Sequence, residues 1–102
     1  MQAECYVRLN QPEKARPFLE QIRSRAGLTG TPETITLQTI EEELKKEFVF
    51  EDHRRTDMIR FGTFFTGTWW EKNKITPAYR GIFPIPALEM QKNNKLRQNP
   101  GY

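Results

Sequence analysis

Cysteine is almost missing from this chain of 102 residues: Cys5 stands alone, so no intramolecular disulfide can form, and neither a zinc-type Cys/His spacing nor a thioredoxin-like cysteine pair is present. A structural metal site is excluded on the same ground. Histidine is equally scarce, with His53 the sole example, and a general base needs an oriented partner and a nucleophile or water within reach. Asp57 stands at helical spacing from His53, but Ser24 and Cys5 fall in helical contexts and complete no triad. Long apolar runs are absent too, which excludes a transmembrane helix. The opening MQAECYVRLN lacks a basic segment followed by an apolar one, so no secretion signal is expected, and no hydrophobic run precedes Cys5 as a lipid-modified cysteine requires. Charge of one sign is also in short supply. A net charge of +3, with Lys and Arg alternating with Asp and Glu, gives no phosphate-binding footprint, and nucleic acid is not expected as a partner.

What is present is aromatic and helical. Seven Phe, three Tyr and two Trp are a large share for a chain that can build only one small core, and such rings usually bury against something. Ala3, Tyr6, Val7 and Leu9 suggest the end of an amphipathic helix, interrupted by Asn10 and Gln11 before Pro12. Pro12 suits the first position of a second helix, with Ala15, Phe18, Leu19, Ile22 and Ala26 on one face. Pro17 removes one backbone bond there and predicts a kink or a late start. Gly27 supplies a left-handed stop, and Arg23 and Arg25 complement the negative end of the helix. Residues 1–27 thus read as an antiparallel helix pair.

After a Gly/Pro/Thr loop, Thr36 is the natural N-cap of a third helix whose face carries Leu37, Ile40, Leu44 and Phe48. The stretch from Glu47 to Phe61 reads as a helix, or two helices meeting near Asp52, laced with ion pairs among Glu47, Glu51, Arg54, Arg55, Asp57 and Arg60. Glu47 and Glu51 are unsuited to a glycosidase acid/base pair, because such carboxylates face each other across a cleft and these lie one turn apart. Residues 36–62 therefore form a charged amphipathic segment. From 63 to 102 the expectation is an aromatic loop containing Phe64, Phe65, Trp69, Trp70 and Tyr79, then an extended run at Gly81–Ile85, a short helix opened by Pro86, and a polar tail closing in a turn at Asn99–Tyr102.

Four pieces carry a resemblance: AGL at Ala26–Leu28, KEFVFEDHRRTDMIRFG at Lys46–Gly62, IFPIP at Ile82–Pro86 and QNPGY at the end of the chain. In this order and spacing they resemble the C-terminal portion of the SusD/RagB family. The resemblance implies a mainly α fold, a TPR-like helix pair followed by further helices and long irregular loops, within a larger helical scaffold. Family members are several times longer, so upstream helix pairs, most ligand-contacting loops and a lipid-modified cysteine are expected before Met1. The implied role is that of a cell-surface lipoprotein of the Bacteroidetes outer membrane. It binds oligosaccharide, or in some relatives peptide, and delivers it to a SusC-like TonB-dependent transporter without breaking a bond or using a cofactor. Membrane attachment would come only through the lipid anchor of the longer parent.

Residue by residue, the resemblance carries structural roles for Glu47, Glu51, Arg54, Asp57 and Arg60 in the charged segment and for Phe83, Pro84 and Pro86 in the extended run. The ligand-binding candidates are Trp69 and Trp70, since sugar rings stack their C–H faces on flat aromatic surfaces, with Tyr79 and Arg80 at the edge of such a site. The competing expectation for the two tryptophans, and the favoured one, is burial against the helices or against a larger body. The alternative for the whole chain is a TPR-like protein-interaction module, although a groove of that kind needs several stacked repeats and one helix pair is visible.

Overall fold

A computed structural model describes residues 1–102. The chain is mainly helical and forms no β-strand; it divides into two compact units, Met1–Asp57 and Met58–Tyr102.

The first unit contains α1 (Gln2–Arg8), α2 (Pro12–Arg25) and α3 (Leu37–Glu47). Helices α1 and α2 pack as the expected pair, turned by Asn10, which takes a left-handed φ of 57°. Ala15 and Leu19 of α2 are buried, at 0% and 2% exposure, and with buried Ala3, Ile35 and Ile40 they are the apolar constituents of the unit. Tyr6 stacks on Phe18 across the pair, with ring centroids 5.8 Å apart. The late start that Pro17 predicts is not taken. Helix α2 runs from Pro12 with Pro17 inside it, because the anchors Ala15 and Leu19 flank the proline and their burial outweighs one missing backbone bond.

Gly27 ends α2 as expected. At φ 75° it lets the Leu28 N–H reach the Arg23 carbonyl at 2.8 Å and its own N–H reach that of Ser24 at 3.0 Å, the paired bonds of a Schellman cap. The loop that follows is held by Arg16. Its guanidinium donates to the Thr31 hydroxyl and to the carbonyls of Pro32 and Glu33, while Glu13 accepts from its other face. Thr36 caps α3 through a reciprocal box with Thr39, at 3.2 Å in both directions.

The charged stretch takes the second of its two expected forms. Helix α3 ends at Glu47 and α4 (Arg54–Phe61) begins seven residues later, after a turn in which Phe50 and Asp52 adopt left-handed φ of 65° and 60°. The ion pairs of Glu47 and Arg54 run between helices, not along one surface: Glu47 accepts from Arg25 of α2, and Arg54 donates to buried Glu41 of α3 at 3.0 Å. The turn breaks the three- and four-residue spacing that would have aligned these charges with their sequence neighbours.

In the second unit, Gly62 closes α4 in a left-handed conformation, at φ 82°. The expected loop from Thr63 then opens instead with one helical turn, α5 (Thr63–Thr66), where the Gly67 N–H bonds the Thr63 carbonyl at 2.8 Å. Four residues carry too little periodicity to be read from sequence. A single antiparallel bridge joins Trp69 and Lys72, a 3₁₀ turn spans Ala78–Gly81, and α6 (Ala87–Lys92) starts behind Pro86. No helix of the chain is long and apolar enough to cross a membrane.

Candidate functional site

Two features of the second unit bring the singled-out residues together. The first is a clasp between the extended run and the tail. Pro84 and Pro86 have no N–H to offer a neighbouring strand, so the run cannot enter a sheet and its remaining polar groups need other partners. Gln98 provides two of them: its side-chain oxygen accepts from the Ile85 N–H and its amide donates to the Ile85 carbonyl, both at 2.8 Å. The Asn99 amide donates to the Phe83 carbonyl and the Tyr102 hydroxyl to the Ile82 carbonyl, again at 2.8 Å. Side chains thus do for this segment what a neighbouring strand does in a sheet.

Tyr79 belongs to the same clasp. Its ring meets that of Tyr102 edge-on, with centroids 5.0 Å apart, and Gly101 lies flat against it. A Cβ on Gly101 would fall 2.5 Å from Tyr79 Cγ, and φ is 94° there, so both the close approach and the backbone conformation demand glycine. Arg80 spreads its guanidinium over the Tyr79 ring at 5.8 Å and donates to the Tyr79 hydroxyl at 3.4 Å; that hydrogen bond holds its pKa above the usual arginine value. Tyr79 and Arg80 therefore sit with the tail.

The second feature is the turn at Trp69–Lys72. Trp69 and Lys72 exchange both backbone hydrogen bonds at 2.9 Å, and Lys72 also donates its ammonium to the Gly67 carbonyl while lying 4.8 Å from the Trp69 ring centroid. Trp69 is thereby half covered. Trp70, the next residue, is 94% exposed, so the expected burial of both rings against the helices does not occur within this chain. The turn explains it: Trp70 and Glu71 form the two-residue loop between the bridged Trp69 and Lys72, so Trp70 stands at the tip while Trp69 lies at the paired position under the Lys72 ammonium.

The charged candidates separate. Glu47 and Arg54 are committed to Arg25 and Glu41, Asp57 is buried near the start of α4, Glu51 is exposed in the turn between helices, and Arg60 lies over the Phe61 ring at 4.9 Å. The His53 ring lies tilted against that of Phe48, with centroids 4.7 Å apart. Beside that turn, a cleft of about 330 Å³ is lined by Leu44, Phe48, Val49 and Phe50 together with Asp52 and Arg54. Sequence reasoning missed Gln98 and Lys72. Both were visible as polar residues beside a motif or an aromatic pair, but the carbonyls they would serve are not visible in a sequence.

The family model described as "SusD family" matches residues 1–102, the full chain. The starch-binding protein SusD of Bacteroides thetaiotaomicron is 32% identical over 91 residues, covering 82% of this chain and 16% of its own length. SusD-like protein P25 of Formosa agariphila is 32% identical over 119 residues, covering 100% of this chain and 23% of its own. The chain thus spans less than a quarter of the length of these curated relatives. The IFPIP and QNPGY segments, locked to each other in the clasp, lie within the matched residues, and the chain belongs to the SusD family.

Proposed function

We propose that this chain is a supporting region of a cell-surface lipoprotein that binds neutral oligosaccharide and passes it to a SusC-like TonB-dependent transporter of the outer membrane. The observation that carries this reading is the match to the SusD family along the whole chain, together with a relative named for starch binding. No bond is broken in this role. The parent holds its ligand through stacking and hydrogen bonds, and membrane attachment comes from a lipid anchor on the parent polypeptide.

Within that role, the polar groups of this region are spent mostly on architecture. Glu47 ties α3 to α2 through Arg25 and Arg54 ties α4 to α3 through Glu41, with Glu51, Asp57 and Arg60 on the same segment, and Tyr79 and Arg80 support the clasp. That leaves Trp69 and Trp70, among the four ligand-binding candidates, as the residues on a turn outside it. The reading is tested by isolating the tagged parent polypeptide from outer membranes of its own cells under mild solubilisation. A TonB-dependent transporter is expected to co-isolate, and the parent is expected to resist extraction without detergent. Recovery of the parent in the soluble fraction, free of any transporter, rejects the reading.

A further inference from the structure

We propose that Trp70 is an auxiliary stacking platform for a pyranose ring of a neutral oligosaccharide, with Trp69 as the fixed base that holds it outward; this rests on the glycan-binding reading above. The two adjacent tryptophans have opposite environments. Trp69 is tied through both backbone bonds to Lys72, carries the Lys72 ammonium over its ring, and lies beside Gly67. Trp70 is nearly fully exposed on the same turn. A turn closed by two 2.9 Å hydrogen bonds and an ammonium-to-carbonyl bond costs little further ordering when a ligand arrives, which is the condition for a weak contact to count.

The surroundings of Trp70 select the ligand class. Thr68, Glu71, Asn73 and Lys74 are all exposed beside it in the chain and supply donors and acceptors of both kinds. A protein partner covering the indole would have to desolvate Glu71 and Lys74 next to it, whereas the cores of protein interfaces are depleted of such charges. A pyranose ring has an apolar C–H face for the indole and a rim of hydroxyls for the neighbouring polar groups. Its two sides match the two kinds of surface found here.

The test is a titration of the ¹⁵N-labelled 102-residue chain with maltohexaose, xylohexaose and laminarihexaose, read at the indole N–H signals. The Trp70 signal is expected to move saturably with at least one sugar, with a dissociation constant on the order of 1 mM, as suits one stacked ring. Trp69 is expected to move less. W70A is expected to abolish saturation, while W70F, which keeps a smaller flat face, retains weakened binding. Absence of a saturable Trp70 shift with all three sugars, or unchanged affinity in W70A, overturns the platform.

In the longer polypeptide that carries this region, W70A is expected to weaken oligosaccharide binding by about tenfold. Unchanged affinity there, or a Trp70 shielded from acrylamide quenching before sugar is added, overturns the platform and leaves the glycan-binding reading standing. A wild-type parent that binds no oligosaccharide overturns both.

Discussion

Single residues in this chain carry backbone conformations and charges with measurable consequences. Phe50 holds a left-handed φ of 65° with its ring fully in solvent, so the fold bears the steric cost of a bulky residue there and gains no burial from it within this chain. F50G should stabilise the 102-residue chain by about 1 kcal/mol in urea unfolding, the relief of the left-handed strain exceeding the added chain entropy. A loss of stability would mean that the ring is packed. Glu13 shows the electrostatic counterpart. A hydrogen bond from Arg16, reinforced by its charge, holds the carboxyl below its ordinary value of 4.5. A lowered carboxyl pKa stabilises the fold above 4.5 and loses that contribution as pH falls through the lower, folded-state value. Carboxyl chemical shifts should place Glu13 below 4.5 in the wild type and return it to that value in R16A. An unchanged midpoint in R16A would deny the pairing.

At the scale of elements, boundaries were legible where they depend on local chemistry. Thr36 before a periodic apolar face, Gly27 after one, and Pro12 at a helix start each act within about one turn of backbone, so the sequence displays both the cause and the position. The interhelical pairs were not legible. Arg25 with Glu47, and Arg54 with Glu41, join residues 22 and 13 positions apart, and nothing in the spacing of a charged segment says which neighbour turns toward it. The one-turn helix at Thr63–Thr66 was missed for a related reason, being too short to show a period. The capping reading predicts that T36A lowers stability by about 1 kcal/mol, with amide exchange quickening first at the start of α3. Exchange that quickens elsewhere instead would place the cost in some other contact.

For the molecule as a whole, two terminal motifs that the sequence offers separately prove to be halves of one device. IFPIP and QNPGY were each recognisable, and prolines at 84 and 86 ruled out an ordinary strand, yet the hydrogen bonds of Gln98, Asn99 and Tyr102 to the run could be found only in three dimensions. Q98A leaves both the N–H and the carbonyl of the half-buried Ile85 without their partner and should cost about 1–3 kcal/mol by urea unfolding. G101A should disturb the clasp further by driving a methyl group into the Tyr79 ring. The same molecule-level view separates support from ligand contact: Tyr79 and Arg80 serve the clasp, while Trp70 stands clear of it.

The central functional claim is that the polypeptide carrying this region holds oligosaccharide without cleaving it. The most direct measurement is calorimetric titration of that polypeptide with maltohexaose, xylohexaose and laminarihexaose, with reducing ends assayed in the same samples after prolonged incubation. Saturable binding of at least one sugar with no rise in reducing ends is the expected result. A steady release of reducing ends, or no binding of any of the three, would contradict it.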